Sequence, residues 1–399
     1  MRIGMMADVY KPHVSGITNY IALNKRHLEQ AGHEVFVFTF GDLDYEDNET
    51  NIIRSPGLPL VDTGYYLNFT YSRKARLLLQ TMDIVHVHHP FLSGRLALRY
   101  CRPLRIPIIF TNHTRYDLYA QAYLPILPDE ISTTFLQTYM PAFCNAVDLV
   151  ISPSKGMAGV LRRLGVNCPI EIVPNGVEIK RFIEQCGADC RQEFGFSPDD
   201  LLLVYAGRLG PEKNLPFLLQ AFAGVAEAVE NATLLILGSG PEEAELKRLA
   251  HQLGLDGRIG FLGMVPYERI PAYLAMCDIF VTASVTEVHP LSVIEAMGAG
   301  LPVVGIASVG VGDTVEDNVT GLLTREDQAS FAAKLTRLCL DADLRKKMGQ
   351  AGRLAAEQYA IERTTQIMLS HYERLVFEAG PRQHTLGVRL RGIFERVRQ

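Results

Sequence analysis

Short runs rich in Val, Ile and Leu recur along the chain, each followed by a longer stretch whose apolar positions return at helical spacing. Strands buried on both faces read as unbroken apolar runs, and crossover helices read as the longer periodic stretches, so the pattern predicts an α/β protein with parallel sheets. The runs fall into two series. The first predicts strands at Ile3–Met6, Glu34–Thr39, Ile84–His88, Ile108–Thr111 and Leu149–Ile151. After a polar stretch at about 180–200 the second predicts Leu201–Tyr205, Thr233–Leu237, Gly260–Leu262, Ile279–Thr282 and Val303–Ile306. Two domains follow, 1–178 and 179–357. A last helix is expected over Gln358–Glu378, with Tyr359, Ile367, Met368, Tyr372 and Leu375 as its apolar positions, and the region 358–399 is expected to pack back on the first domain. Open parallel sheets bind ligands beyond the carboxyl ends of their strands, so a cleft between the two domains is where function is expected.

Composition narrows the class. A chain of 399 residues exceeds one ordinary core, and 48% hydrophobic with 21% charged residues is the balance of a folded globular protein. Against 39 Lys and Arg stand 44 Asp and Glu, a net charge of -5, so no global basic field points to nucleic acid. Seven scattered cysteines without a C-x-x-C pair read as reduced intracellular thiols, Cys186 and Cys190 lacking a second pair for zinc. Asp8 interrupts the N-terminus before an export signal's apolar core could form, and Pro302 and several glycines break the uncharged stretch 296–312. A cytoplasmic protein without a membrane-spanning helix is the expectation.

Three loops carry candidate chemistry. Glu287 and Glu295 flank the start of a predicted helix in Glu287-Val288-His289-Pro290-Leu291-Ser292-Val293-Ile294-Glu295. A carboxylate accepts hydrogen bonds from paired sugar hydroxyls, and amides at a helix start favour anionic or hydroxyl-rich ligands; by residue type alone the pair equally fits ordinary helix-start acids. Arg208 and Lys213 lie in the loop Ala206–Asn214, between a strand and a helix, where two cations can neutralise a diphosphate leaving group or stand as solvated surface charges. Gly16, in the loop from the first strand to the first helix, allows close backbone approach to a phosphate. Gly238-Ser239-Gly240 is followed by Pro241, Glu242 and Glu243, which reads as a turn and helix start rather than an anion cradle.

In order along the chain, the Gly16 loop, Pro174-Asn175-Gly176-Val177, Gly207-Arg208-x4-Lys213 and Glu287-x7-Glu295-Ala296-Met297-Gly298 resemble retaining glycosyltransferase family 4. The resemblance covers almost the whole chain and implies the GT-B fold: two Rossmann-like parallel-sheet domains facing across a cleft. It implies that Glu287 contacts the donor hexose and Glu295 the ribose, that Arg208 and Lys213 hold the diphosphate, and that Gly16 supplies a backbone contact. Phe261–Val265 resembles the nucleobase turn, which brings in Met264, Val265 and nearby Arg258. Val288-His289-Pro290 departs from the small run usual in the family, so His289, Pro290 and Leu291 bear on donor identity. His113, after a predicted strand, matches the family's active-site histidine.

The remaining signals concern the acceptor. In His86-Val87-His88-His89-Pro90, alternation puts His86 and His88 on one strand face, with no third metal ligand nearby; His88 and His89 are expected to line the acceptor cleft. Asp42-Leu43-Asp44 spells a metal-binding D-x-D, but the neighbouring Glu46, Asp47 and Glu49 make it a solvated acidic loop. Tyr116, Tyr119 and Tyr123, with the region Leu58–Tyr71, are similar to glycolipid-forming members, including diacylglycerol glucosyltransferases. From Pro381 onward five arginines against one acid flank Leu386, Leu390, Ile393, Phe394 and Val397, the pattern of a helix on an anionic bilayer or of a packed terminal helix. The resemblance therefore implies a metal-independent, retaining hexosyltransferase without a cofactor. Its donor is expected to be UDP-glucose, with GDP-mannose as the alternative, and its acceptor a hydroxyl, with a membrane glycerolipid in view and the enzyme peripheral on the inner membrane face. A GT-B nucleotide-sugar epimerase and a non-catalytic sugar-nucleotide-binding protein are the rival readings.

Overall fold

The computed structural model describes residues 1–13, 15–60, 65–118, 129–185 and 191–380. Tyr119, Tyr123, Cys186, Cys190 and the basic stretch from Pro381 lie outside the described residues. Two compact units emerge. Residues 1–113, 130–176 and 361–380 form the first, and 114–118, 129 and 177–360 form the second. The continuous first domain expected from sequence is thus interrupted: the segment beginning at Thr114 groups with the second unit, and no shift in composition marks it.

The first unit is built on a seven-stranded parallel sheet in the order β3-β2-β1-β6-β7-β8-β9. Its strands are β1 (Arg2–Met6), β2 (Glu34–Phe40), β3 (Ile52–Ser55), β6 (Ile84–Val87), β7 (Ile108–Thr111), β8 (Leu149–Ser152) and β9 (Ile170–Ile172), while β4 (Leu58–Pro59) and β5 (Tyr66–Leu67) make a small antiparallel hairpin. The second unit carries a six-stranded parallel sheet, β12-β11-β10-β13-β14-β15. Here the strands are β10 (Leu201–Ala206), β11 (Ala232–Leu237), β12 (Ile259–Gly263), β13 (Ile279–Thr282), β14 (Val303–Ile306) and β15 (Gly321–Thr324). All ten strands read from the sequence are present. Three sheet strands that were not, β3, β9 and β15, are sheet edges; β3 and β9 are only partly buried, and β15 holds just Leu322 and Leu323 between Gly321 and Thr324, too short an apolar run to read.

The last helix begins three residues later than its pattern suggests, at Ile361, after a tight turn over Glu357–Tyr359. Its buried face is Ile361, Thr364, Thr365, Met368, Leu369, Tyr372 and Leu375, at helical spacing, and Ile367, expected inside, lies at the solvent edge. Within the first unit this face seats on the sheet and on the helix Gly16–Gln30, where Thr365 Oγ1 donates to Asn24 Oδ1 at 3.3 Å. Gly176 touches the same helix: a Cβ there would lie 2.1 Å from Thr364 Oγ1 and 2.9 Å from Ile361 Cα. Gly176→Ala should therefore cost about 1–3 kcal/mol by overpacking, seen as a lower urea midpoint with an unchanged slope. A midpoint equal to that of the parent would contradict the seating.

Candidate active site

In the six-stranded sheet the strand order reverses between β10 and β13, and open α/β sheets form their ligand crevice at such a point. The two loops leaving these strands carry Arg208, Lys213 and Glu287. Lys213 Nζ donates to Glu287 Oε1 at 2.6 Å, and both side chains keep some exposure. Beneath them the loops are tied together, because the Glu212 carbonyl accepts from Ser284 Oγ at 3.3 Å and from Thr286 Oγ1 at 3.1 Å. The Glu212 carboxylate is buried and stands 3.9 Å from the half-exposed Arg208 guanidinium. Close backbone approach holds the Arg208 loop in place. Gly238 has φ +136°, and a Cβ there would fall 1.9 Å from the Gly207 carbonyl oxygen, so the Gly238-Ser239-Gly240 turn serves as the bed of this loop. Gly310 plays the same part for Glu287, whose carbonyl accepts its N–H at 3.0 Å.

Glu295 lies within the helix Leu291–Gly298, which enters after Pro290 as its N-cap. It is buried and hydrogen-bonded to Tyr267, a residue that no sequence signal singled out. Burial pushes its carboxyl up to about 7, against the lowering effects of the Tyr267 hydroxyl and the Arg181 charge. The same contact, with burial first, raises the Tyr267 phenol. Arg181 sits 5.4 Å from the centre of the Tyr267 ring and donates to Glu178 at 2.9 Å. A carboxyl with a raised folded-state pKa binds a proton that the unfolded chain has lost, so its contribution to stability is full below about pH 4.5 and is lost as pH rises to about 7. Glu295→Gln should therefore gain on the parent by about 3 kcal/mol between pH 5 and pH 8 in urea unfolding. Parallel pH curves would contradict this.

Other donor-side expectations separate here. Arg258, expected at the nucleobase, lies away from the ligand end of the sheet. It precedes β12, at the amino-terminal end of a parallel sheet whose ligand loops leave from the other end, and its guanidinium donates to the carbonyls of Ala226, Val229 and Ala232. It fastens the foot of the sheet. Met264, exposed, and Val265, half-buried, do follow the carboxyl end of β12. His289 is buried edge-on to Tyr359 with ring centroids 4.9 Å apart, and burial lowers it to about 3, so it is neutral. Pro290 is buried and Leu291 half-buried beside it.

The first unit has its own reversal, between β1 and β6. There the Asp8 N–H donates to His89 Nδ1 at 3.2 Å, and Asp8 Oδ1 accepts from the Ser93 N–H at 2.7 Å. His88 Nδ1 and His113 Nε2, from the ends of β6 and β7, share a hydrogen bond at 3.1 Å, with the Tyr20 ring against both. His86 is structural, held at 2.7 Å by the Tyr372 hydroxyl and at 2.7 Å by Thr111 Oγ1. Burial lowers all four histidines, His86 to about 3 and His88 and His113 well below the ordinary value. Gly16 opens its helix just after Ser15, whose side chain caps it, and open space surrounds the position of a Cβ. Tyr116, half-buried, falls in the segment grouped with the second unit. Among the described residues no group of three or more His, Cys, Asp or Glu is placed to hold a metal ion, and no helix is long and apolar enough to cross a membrane.

The family model for Glycosyltransferase Family 4 matches residues 14–181, and that for Glycosyl transferases group 1 matches 188–355. The alpha-monoglucosyldiacylglycerol synthase of Streptococcus pneumoniae is 30% identical over 356 residues, covering 86% of this chain and 80% of that protein. This chain is a family 4 glycosyltransferase. The enzyme of the same name from Acholeplasma laidlawii is 27% identical over 383 residues, covering 91% of this chain and 94% of its own. Among solved structures, sucrose-phosphate synthase from Thermosynechococcus elongatus superposes with TM-score 0.78 at 23% identity, covering 95% of this chain and all of that one. Anabaena HepE in complex with UDP and glucose superposes with TM-score 0.77 at 20% identity, covering 94% of this chain and all of that one. The fold of this glycosyltransferase is GT-B.

Proposed function

We propose that this glycosyltransferase moves a glucosyl unit from UDP-glucose to the hydroxyl of a membrane glycerolipid, with retention at the anomeric carbon and without a metal ion. The observation that carries the reading is the Lys213–Glu287 pair at the β10/β13 reversal, with Arg208 on the same loop. As the bond from the anomeric carbon to the diphosphate oxygen breaks, its electron pair passes to that oxygen, and Lys213 and Arg208 meet the charge where it develops. The acceptor hydroxyl forms the new bond on the same face, and its proton goes to the departing phosphate oxygen. Glu287, released from Lys213 by the diphosphate, accepts from hexose hydroxyls, and Glu295 accepts from the ribose.

Support for a lipid acceptor comes from the two diacylglycerol-related relatives, and support for UDP from the HepE complex. On this reading the protein works at the inner face of the cell membrane. A thermal-shift panel of sugar nucleotides tests the donor. UDP-glucose at 100 times its Kd should add about 2.7 kcal/mol of stability, and GDP-mannose at the same concentration should add little. The reverse order would assign the donor to GDP-mannose.

A further inference from the structure

Apart from Gly16, the donor residues named above belong to the second unit, yet the first unit has a crevice of its own. It lies at the carboxyl ends of β1, β2 and β3 and encloses about 340 Å³, which is the small end of ligand pockets and suits a single glycerol or sugar-sized group. Its walls are aromatic, formed by Tyr10, Phe40, Tyr45 and Tyr66.

Charge decides what such a group can be. Two permanent cations, Lys11 and Arg54, line the crevice beside His13, and each of the two is already matched. Arg54 makes a two-pronged bond to Asp47, with Nε at 2.8 Å and Nη2 at 2.6 Å, donates a further hydrogen bond to the Lys11 carbonyl at 2.6 Å, and lies over the Tyr45 ring at 4.8 Å. The side chain is almost wholly buried. Lys11 Nζ pairs with Glu49, which also accepts from the Tyr10 hydroxyl at 3.0 Å. Asp42 adds a carboxylate to the wall. A phosphate drawn to Arg54 would either displace Asp47 from Nε and Nη2 or sit at Nη1 among the carboxylates of Asp42, Asp47 and Glu49, and either way it meets like charge that already neutralises the cations. An uncharged polyol meets no such barrier, because its hydroxyls donate to carboxylates while its C–H faces lie on the rings.

The hairpin beside the crevice is two-faced. Tyr66 lines the crevice, while its neighbour Leu67 and Leu58, paired with each other across the hairpin, are exposed, as is Phe69 just beyond. Water-facing side chains of this kind next to a head-group pocket suit acyl chains.

We propose that this crevice receives the uncharged, hydroxyl-bearing head of a glycerolipid, its chains lying along Leu58, Leu67 and Phe69. This rests on the lipid-acceptor reading above and narrows it to neutral head groups. The chain contains no tryptophan, so Tyr66→Trp installs a single fluorescent reporter at the crevice. Titrated with detergent micelles, the reporter should respond saturably to diacylglycerol or monoglucosyldiacylglycerol, with midpoints at least tenfold lower than for phosphatidylglycerol. Equal midpoints, a preference for phosphatidylglycerol or no response would overturn the proposal. In turnover assays Tyr45→Ala should raise the KM for diacylglycerol about tenfold while kcat and the donor KM stay within twofold; an unchanged acceptor KM would also overturn it. A reporter that responds in a protein forming no glycolipid would instead overturn the transfer reading and leave the crevice assignment standing.

Discussion

Lys213→Ala should lower kcat by two to three orders of magnitude, about 3–4 kcal/mol of transition-state stabilisation, with a much smaller change in the donor KM. The effect is large because the ammonium is in place before the donor arrives: Glu287 and the anchored Glu212 backbone hold it at the β10/β13 reversal, and the diphosphate then takes the place of the carboxylate. A cation that must be fetched from solvent would stabilise developing charge far less. Folding should survive, since the Lys213 and Glu287 side chains are both partly exposed and water can take over the lost partner. Lys213→Arg, which keeps the charge but not the point geometry, should fall between the two. Steady-state kinetics on variants with parental circular dichroism decides it, and a kcat within threefold of the parent would remove Lys213 from the chemistry.

The second large effect is acid lability of the first unit. His86 and His88 are buried and His113 half-buried against them, all three as neutral rings with folded-state values depressed below that of an exposed imidazole. In the unfolded chain each takes up a proton below about pH 6.5, so the stability they confer is present above that pH and is lost as pH falls. The loss is about 1.4 kcal/mol per histidine per pH unit, or about 4 kcal/mol for the three at pH 5.5. In the second unit the buried neutral His289 loses in the same sense while Glu295 has the opposite sign, so the two offset and that unit holds its stability or gains slightly over the same range. Amide hydrogen exchange corrected for its intrinsic pH dependence should show β6 and β7 losing protection between pH 7.5 and pH 5.5, while β10 and β13 hold or gain. A uniform response in both sheets would contradict the burial of these imidazoles as neutral groups.

Much of this molecule was legible from residue order because interior parallel strands, apolar on both faces, leave unbroken runs. Three of the four sheet edges were not, β12 being the exception: Ile52–Ser55 carries Arg54 in a half-buried strand, and with that strand unread, the crevice around Arg54 was invisible too. Residue types at the second unit's reversal were readable, whereas the Lys213–Glu287 contact joins positions 74 apart and depends on which strands lie side by side. The His88–His113 bond is hidden for the same reason. Arg258 was misplaced by proximity in sequence: it is close to Phe261–Val265 along the chain, yet a parallel strand separates its two ends. Strand direction alone could have told them apart. Tyr267 gave no signal, since a tyrosine beside a predicted turn is ordinary until Glu295 is found against it.

The central claim is that protein cations, without a divalent ion, take up the charge released as the glycosyl bond breaks. It is tested by incubating EDTA-treated enzyme with UDP-glucose and diacylglycerol, then assigning the anomeric configuration of the glycolipid by proton NMR. The account predicts an α-glucosyl product, formed at the rate seen without EDTA and with one UDP released per glucose transferred. A β-linked product, or activity lost to EDTA and restored by magnesium, would contradict it.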